Sequence, residues 1–231
     1  MLGFVLAVLL TFATGPPAED PTGDAVLKKV EEAWAGLRDF TVTLDIEAHL
    51  EQINVPPMLV TMYFKQPDKT HFDGQGFALV PKEAGMLRPS GFLRRFTIER
   101  VDRDTLDGVQ EFKLVLRPTE ARSRVRSATL SVHSARWTMD KLVSVLPDGR
   151  TLTAVFTHER VQGFWLPSSL TVSFTAQREA AELPAADDDA PMPFRRQSLR
   201  GGTVNIRYSK YHINTGLDDS LFAPVGPPER D

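Results

Sequence analysis

Phe40-Thr41-Val42-Thr43-Leu44-Asp45-Ile46-Glu47-Ala48-His49-Leu50 alternates without a break, apolar at every even position and polar at every odd one. A strand turns successive side chains to opposite faces, so this stretch predicts a β-strand with one face on a core and the other in water. The same alternation returns down the chain, with no recognisable catalytic constellation between its repeats. The sequence reads as a half-buried sheet built to cover something, a container more than a catalyst.

Upstream of that strand, Asp24 is placed to cap a helix whose Leu27, Val30, Trp34 and Leu37 form one stripe, with Lys28, Lys29, Glu31 and Glu32 facing water. Trp34 is expected to pack on the sheet. Downstream, Asn54 to Pro57 break the chain and Leu59 to Lys65 form a second strand, closed by a Gln66-Pro67-Asp68 turn. Lys69 to Phe72 and Phe77 to Val80 read as third and fourth strands around Asp73-Gly74-Gln75-Gly76, where the glycines are turn residues. A phosphate-binding Gly-x-Gly-x-x-Gly loop would need glycine at Leu79, and no helix signal follows, so nucleotide binding is rejected.

Pro81 to Phe92, with Met86, Leu87 and Phe92 among Pro81, Pro89 and Gly91, is the least strand-like stretch and reads as a short helix or loop that plugs one end of the core, its default, or forms a lid over a cavity. Alternation resumes at Phe96-Thr97-Ile98 and continues through Gly108 to Phe112, Leu114 and Leu116, a hairpin ending at Pro118. Leu130 and Val132 extend the series. Trp137 to Leu146, the Asp148-Gly149 turn and Leu152-Ala154-Phe156 form another hairpin, and Gly163 introduces a run at Leu170, Val172, Phe174 and Ala176. Arg178 to Pro193, centred on Asp187-Asp188-Asp189, has no periodicity and reads as a solvated loop. Val204, Ile206 and Tyr208 mark the last strand.

The 231 residues carry a formal charge of -3 and are 42% apolar, enough for a sizeable core but with no overall attraction for nucleic acid or anionic lipid. Met1 to Phe12 is almost wholly apolar and is followed by small residues and Pro16-Pro17, which resembles a secretory signal without its basic start. Residues 1–20 are therefore expected to be a signal peptide and linker, 21–222 a single domain with a flexible acidic loop at 177–198, and 223–231 a disordered tail. Export to the periplasm follows. With no cysteine, disulfides, thiolate chemistry and an acylated lipobox are excluded.

His49, His71, His133, His158 and His212 are scattered with no His-x-x-x-His pair, so no metal is expected, and no Gly-x-Ser-x-Gly elbow raises a serine nucleophile. No cofactor is implied. Arg117, Arg122, Arg124 and Arg126, like Arg94, Arg95, Arg100 and Arg103, form basic runs that read as solvated faces or as contacts for anionic headgroups or an acidic partner. Arg117 to Arg126 holds no aromatic residue, against a nucleic-acid partner.

The order of features resembles the LolA-like outer-membrane lipoprotein carrier and sorting family: a signal, an amphipathic helix, the Phe40 strand, Phe64-Lys65-Gln66-Pro67-Asp68, Phe112 to Pro118, Gly163-Phe164-Trp165-Leu166-Pro167, and Tyr211-His212-Ile213-Asn214-Thr215-Gly216-Leu217-Asp218-Asp219-Ser220-Leu221-Phe222. The resemblance covers roughly Asp24 to Phe222, and its most specific part is the concluding Asn214 to Phe222 stretch. It implies a mainly β fold with a few helices, a curved antiparallel unclosed half-barrel covered by helices over an apolar cavity for acyl chains. Under it the chain is a non-enzymatic, monomeric periplasmic carrier of lipid or acylated lipoprotein, working with an inner- or outer-membrane partner protein. No arginine here is matched to the carrier's functional arginine. The same fold serves RseB-like envelope sensors that dock on a membrane partner, which is the alternative.

On the carrier reading, Val42, Leu44, Ile46, Val60, Met62 and Phe64 line the cavity and Met86, Leu87 and Phe92 form its lid. Periodicity alone is equally satisfied, and more simply, by ordinary core at all of these positions.

Overall fold

The computed structural model describes residues 21–50, 53–74, 95–106, 108–120, 123–175 and 201–223. The expected Phe77 strand, the stretch bearing Met86, Leu87 and Phe92, the signal segment and the acidic loop lie outside the described residues.

Helix α1 (Gly23–Glu32) precedes the sheet. Its cap is Thr22, whose hydroxyl accepts from the Ala25 N–H at 3.3 Å. This corrects the expected Asp24 cap: Asp24 sits in the first turn, where a carboxylate complements the helix dipole. The helix ends at Glu32, so Trp34 and Leu37 reach the core from the following turn, and Val26 joins Val30 on the buried side.

The strands are β1 (Asp39–Leu50), β2 (Ile53–Asn54), β3 (Met58–Lys65), β4 (Lys69–Asp73), β5 (Phe96–Leu106), β6 (Val109–Pro118), β7 (Ser127–His133), β8 (Met139–Val145), β9 (Thr151–Val161), β10 (Phe164–Thr175) and β11 (Gly201–Ile213). They form one antiparallel sheet in the order β4-β3-β1-β11-β10-β9-β8-β7-β6-β5, with β2 on β1. From β5 to β11 each strand lies beside its predecessor, and β11 then pairs with β1, joining the last strand to the first. The sheet ends at β4 and β5 and is not closed into a barrel.

Local sequence explains the connections. Asp148-Gly149 turns the β8–β9 hairpin with Gly149 at φ 83°, and Gln162-Gly163 turns β9 into β10 with both residues left-handed, at φ 48° and 93°. The expected strand from Trp137 begins at Met139 instead, because Trp137 occupies a turn at φ 56°.

One face of the sheet carries the core. Phe40, Val42, Leu44 and Ile46 of β1 are fully buried there, together with Leu114, Leu116, Leu130, Leu170 and Val172 from the far strands, while His49 on the opposite parity is exposed. The segment from α1 to Trp34 crosses this inner face from the β5 edge to β1 and β3. At its start Gly23 lies so close to β5 that a Cβ there would sit 2.5 Å from Ile98 Cδ1. At its end the Trp34 ring meets Phe64 edge-on at 5.8 Å and Phe40 at 6.3 Å, as expected for a core tryptophan.

Candidate functional site

Beneath the end of α1, β1 and β3 pair Phe40 with Phe64, Val42 with Met62, Leu44 with Val60 and Ile46 with Met58. The six candidates described in this part of the sheet (Val42, Leu44, Ile46, Val60, Met62 and Phe64) are thus brought together on adjacent strands, each 2% exposed or less. They belong to one apolar cluster with Trp34 and Leu37. The chemistry of this floor is that of hydrocarbon.

A cavity of about 630 Å³ opens between the start of α1 and β5, within the range of small-molecule sites. Leu27, Phe96, Ile98 and Val101 give it apolar walls, and Asp24, Glu99 and Arg100 stand among its polar lining. None of the six floor residues lines it. Leu27 belongs to the predicted helix stripe, but its half-burial marks it as wall rather than core. The polar groups of β5 are engaged: across the hairpin Arg117 pairs with Glu99 and Lys113 with Asp104, whose carboxyl the lysine holds below the usual carboxylate range, and along β5 itself Arg100 pairs with Asp102 at 2.8 Å. The basic runs of the sequence thus serve in part as cross-strand partners on an edge.

At the centre of the inner face, under Val30 and Trp34, lies a polar cluster that sequence reading missed. The register of β7 against β8 slips at Asp140, an extra residue opposite Ser131 and Val132. Asp140 accepts from the Thr138 hydroxyl on Oδ1 at 2.6 Å and from an Arg136 terminal nitrogen on Oδ2 at 3.0 Å, and His158 Nδ1 lies 3.4 Å from the same Oδ1 that Thr138 uses. The Arg136 guanidinium also stacks over Trp165 at 5.3 Å. The His158 side chain is 6% exposed; burial pushes its pKa down from 6.5 to about 4, with the Asp140 charge opposing that shift. A cavity of about 10 Å³ touches His158 and Thr138. The signal was present in parity: His158 shares the face of Ala154 and Phe156, and Asp140 that of Leu142, so each is a polar residue on an apolar stripe.

The Asn214 to Phe222 stretch, on which the family resemblance leaned most, forms a clamp on the start of β1. Asn214 accepts from the Arg38 N–H at 2.7 Å and donates to the Gly36 carbonyl at 2.9 Å. Lys65 donates to the Leu217 carbonyl at 2.7 Å and pairs with Asp219 at 2.6 Å; Lys69 reaches the same carboxylate, and the two lysines hold its pKa down. Gln66 closes the other side by donating to the Trp34 and Leu37 carbonyls. The role is architectural.

Among the described residues no group of three or more His, Asp or Glu is placed to hold a metal, and no helix is long and apolar enough to cross a membrane. The sequence matches no protein-family model and no curated protein. Solved structures do match. A LolA superfamily protein from Nitrosomonas europaea superposes with a TM-score of 0.59 at 12% identity, over 88% of this chain and 98% of that one. The domain of a putative outer membrane lipoprotein-sorting protein from Vibrio parahaemolyticus gives 0.59 at 11% identity, over 85% and 94%. A DUF1329 family protein from Desulfovibrio piger gives 0.58 at 12% identity, over 86% and 95%. At such identities the likeness is one of backbone architecture: the curved, unclosed antiparallel sheet with a helix across its inner face is the LolA-like fold.

Proposed function

We propose that the protein is a periplasmic carrier that binds the acyl chains of a lipid or lipoprotein between α1 and the inner face of the sheet, with residues 21–222 as its single domain. One observation carries the reading: an unclosed sheet offers an inner face that is apolar around one central polar cluster, and the helix laid across it leaves a cavity of about 630 Å³ with mixed polar and apolar walls at the β5 edge. Each methylene taken from water into such a site gains about 0.8 kcal/mol, so a chain of ordinary length is carried through water by burial alone, with no chemistry required. Val42, Leu44, Ile46, Val60, Met62 and Phe64 form the apolar floor and Leu27 and Ile98 the entrance. The backbone likeness to a lipoprotein-sorting domain supports this use.

The test is lipid retention by Leu27→Glu. Leu27 is only half-buried, so a folded variant is expected, and a carboxylate in the entrance should reduce bound lipid at least tenfold. Unchanged retention by the folded variant would remove the α1–β5 cavity from the path of the chain.

A further inference from the structure

We propose that His158, with Arg136 and Asp140 beside it, forms a polar anchor beneath α1 that takes one carbonyl oxygen of an ester-linked acyl chain. This deepens the carrier reading and rests on it. Three observations converge on the cluster.

First, His158 Nδ1 and Arg136 Nε are both buried and neither has a hydrogen-bond partner. Buried polar atoms are nearly always satisfied, and His158 Nδ1, 3.4 Å from Asp140 Oδ1 but not hydrogen-bonded to it, belongs to a side chain that borders a cavity. Second, the cavity of about 10 Å³ at His158 and Thr138 has the size of a single water-like oxygen; its other walls are Val30, Trp34, Met139, Phe156 and Pro167, and Arg136 and Asp140 flank His158 without lining it. Hydrogen-bonding groups on one side and hydrocarbon on the other match an ester linkage where it meets its first methylenes. Third, Asp140 already neutralises the Arg136 guanidinium at 3.0 Å, so the cluster offers hydrogen bonds with little net charge. A neutral carbonyl suits it better than a phosphate or a free carboxylate. Seating the attached chain moves Val30 and Trp34 away from Met139 and Phe156, which makes α1 the element that yields.

The experiment offers the full chain vesicles containing equal amounts of dipalmitoyl phosphatidylcholine and its dihexadecyl ether analogue, and reads retained lipid by native mass spectrometry. The two lipids share headgroup and chain length; only the ester carbonyls differ. Wild type should retain the ester five- to tenfold over the ether, the worth of one buried hydrogen bond. Both His158→Leu and Arg136→Lys should bring the ratio towards one while still binding lipid. Should His158→Leu fail to fold, His158→Asn and Arg136→Lys carry the comparison. Equal retention by wild type, or a preference unaltered in the folded variants, overturns the anchor alone and leaves the cavity to an ordered water. Retention of neither lipid overturns the anchor and the carrier reading together.

Discussion

The carboxylate of Asp39, 3% exposed at the first position of β1, accepts hydrogen bonds from the backbone N–H of Thr215 at 2.8 Å and of Gly216 at 3.1 Å. It binds the beginning of the sheet to the segment that follows its last strand, across 177 residues of chain. Hydrogen bonds to a charged group contribute about 1.5–3 kcal/mol each, and their loss leaves two backbone donors without this partner. Asp39→Ala should therefore lower stability in urea by about 3 kcal/mol, and Asp39→Asn by less. A loss within 0.5 kcal/mol of zero would show that the clamp holds without this carboxylate.

Lys210 lies at φ 57° where the β1–β11 register slips, with Thr41 opposite His212 but Thr43 opposite Ser209. The extra residue shifts the parity of β11: Tyr208 faces the core before it, and Tyr211 after it, where its ring meets Phe40 at 5.6 Å and its hydroxyl donates to the Pro167 carbonyl at 2.7 Å. The left-handed backbone suits glycine and strains a β-branched residue. Lys210→Gly is expected to be neutral or stabilising by about 0.5–1 kcal/mol and Lys210→Val destabilising by more than about 1 kcal/mol. Thermal unfolding of the two variants checks the sign.

His158 supplies a pH dependence. In the unfolded chain it takes its proton near 6.5; in the folded protein burial delays this to about 4. The unfolded state therefore binds more protons between these values, and stability falls as the pH drops through that window. The contribution is complete above 6.5, and about 3 kcal/mol of it is gone by pH 4. His133, also pushed down by burial with Arg136 adding to the shift, contributes a slope of the same sign. Urea unfolding of wild type and His158→Leu at pH 7, 5.5 and 4.5 should give a shallower dependence in the variant; parallel curves would exclude His158 as the source.

Gly23 and Ile98 offer a way to pin α1. A Cβ at Gly23 would lie 3.2 Å from Ile98 Cβ, slightly short of the usual disulfide spacing of about 3.5–4.5 Å so that α1 must give by a few tenths of an ångström, and the chain contains no cysteine to compete. Gly23→Cys with Ile98→Cys should close the α1–β5 entrance when oxidised and reopen it on reduction, so that lipid uptake falls severalfold in the oxidised form alone. Equal uptake in both forms would place the entrance elsewhere.

The alternation of Phe40 to Leu50 made the sheet legible, and the Asp148-Gly149 turn fixed a hairpin, because periodicity and turn chemistry are local. The inner-face residues of β1 and β3 were legible for the same reason, although alternation says nothing about whether a buried side chain touches a neighbour or a ligand. What local pattern hides is the consequence of a slipped register. Lys210 changes which tyrosine points inwards, and Asp140 is an extra residue that helps bring Arg136 and Thr138 beside His158, a strand away in the ladder. The Asp24 cap was a near miss of the same kind: Thr22 has the right oxygen two residues earlier, and only the start of the backbone turn decides between them.

The central claim is that the inner face carries acyl chains. Native mass spectrometry with lipid extraction, on protein recovered from its own cell envelope, tests it most directly. A stoichiometric lipid or acylated protein, lost in Leu27→Glu, is the expected result. A clean apo mass that persists after incubation with offered lipids would contradict the account and leave the inner face a filled core.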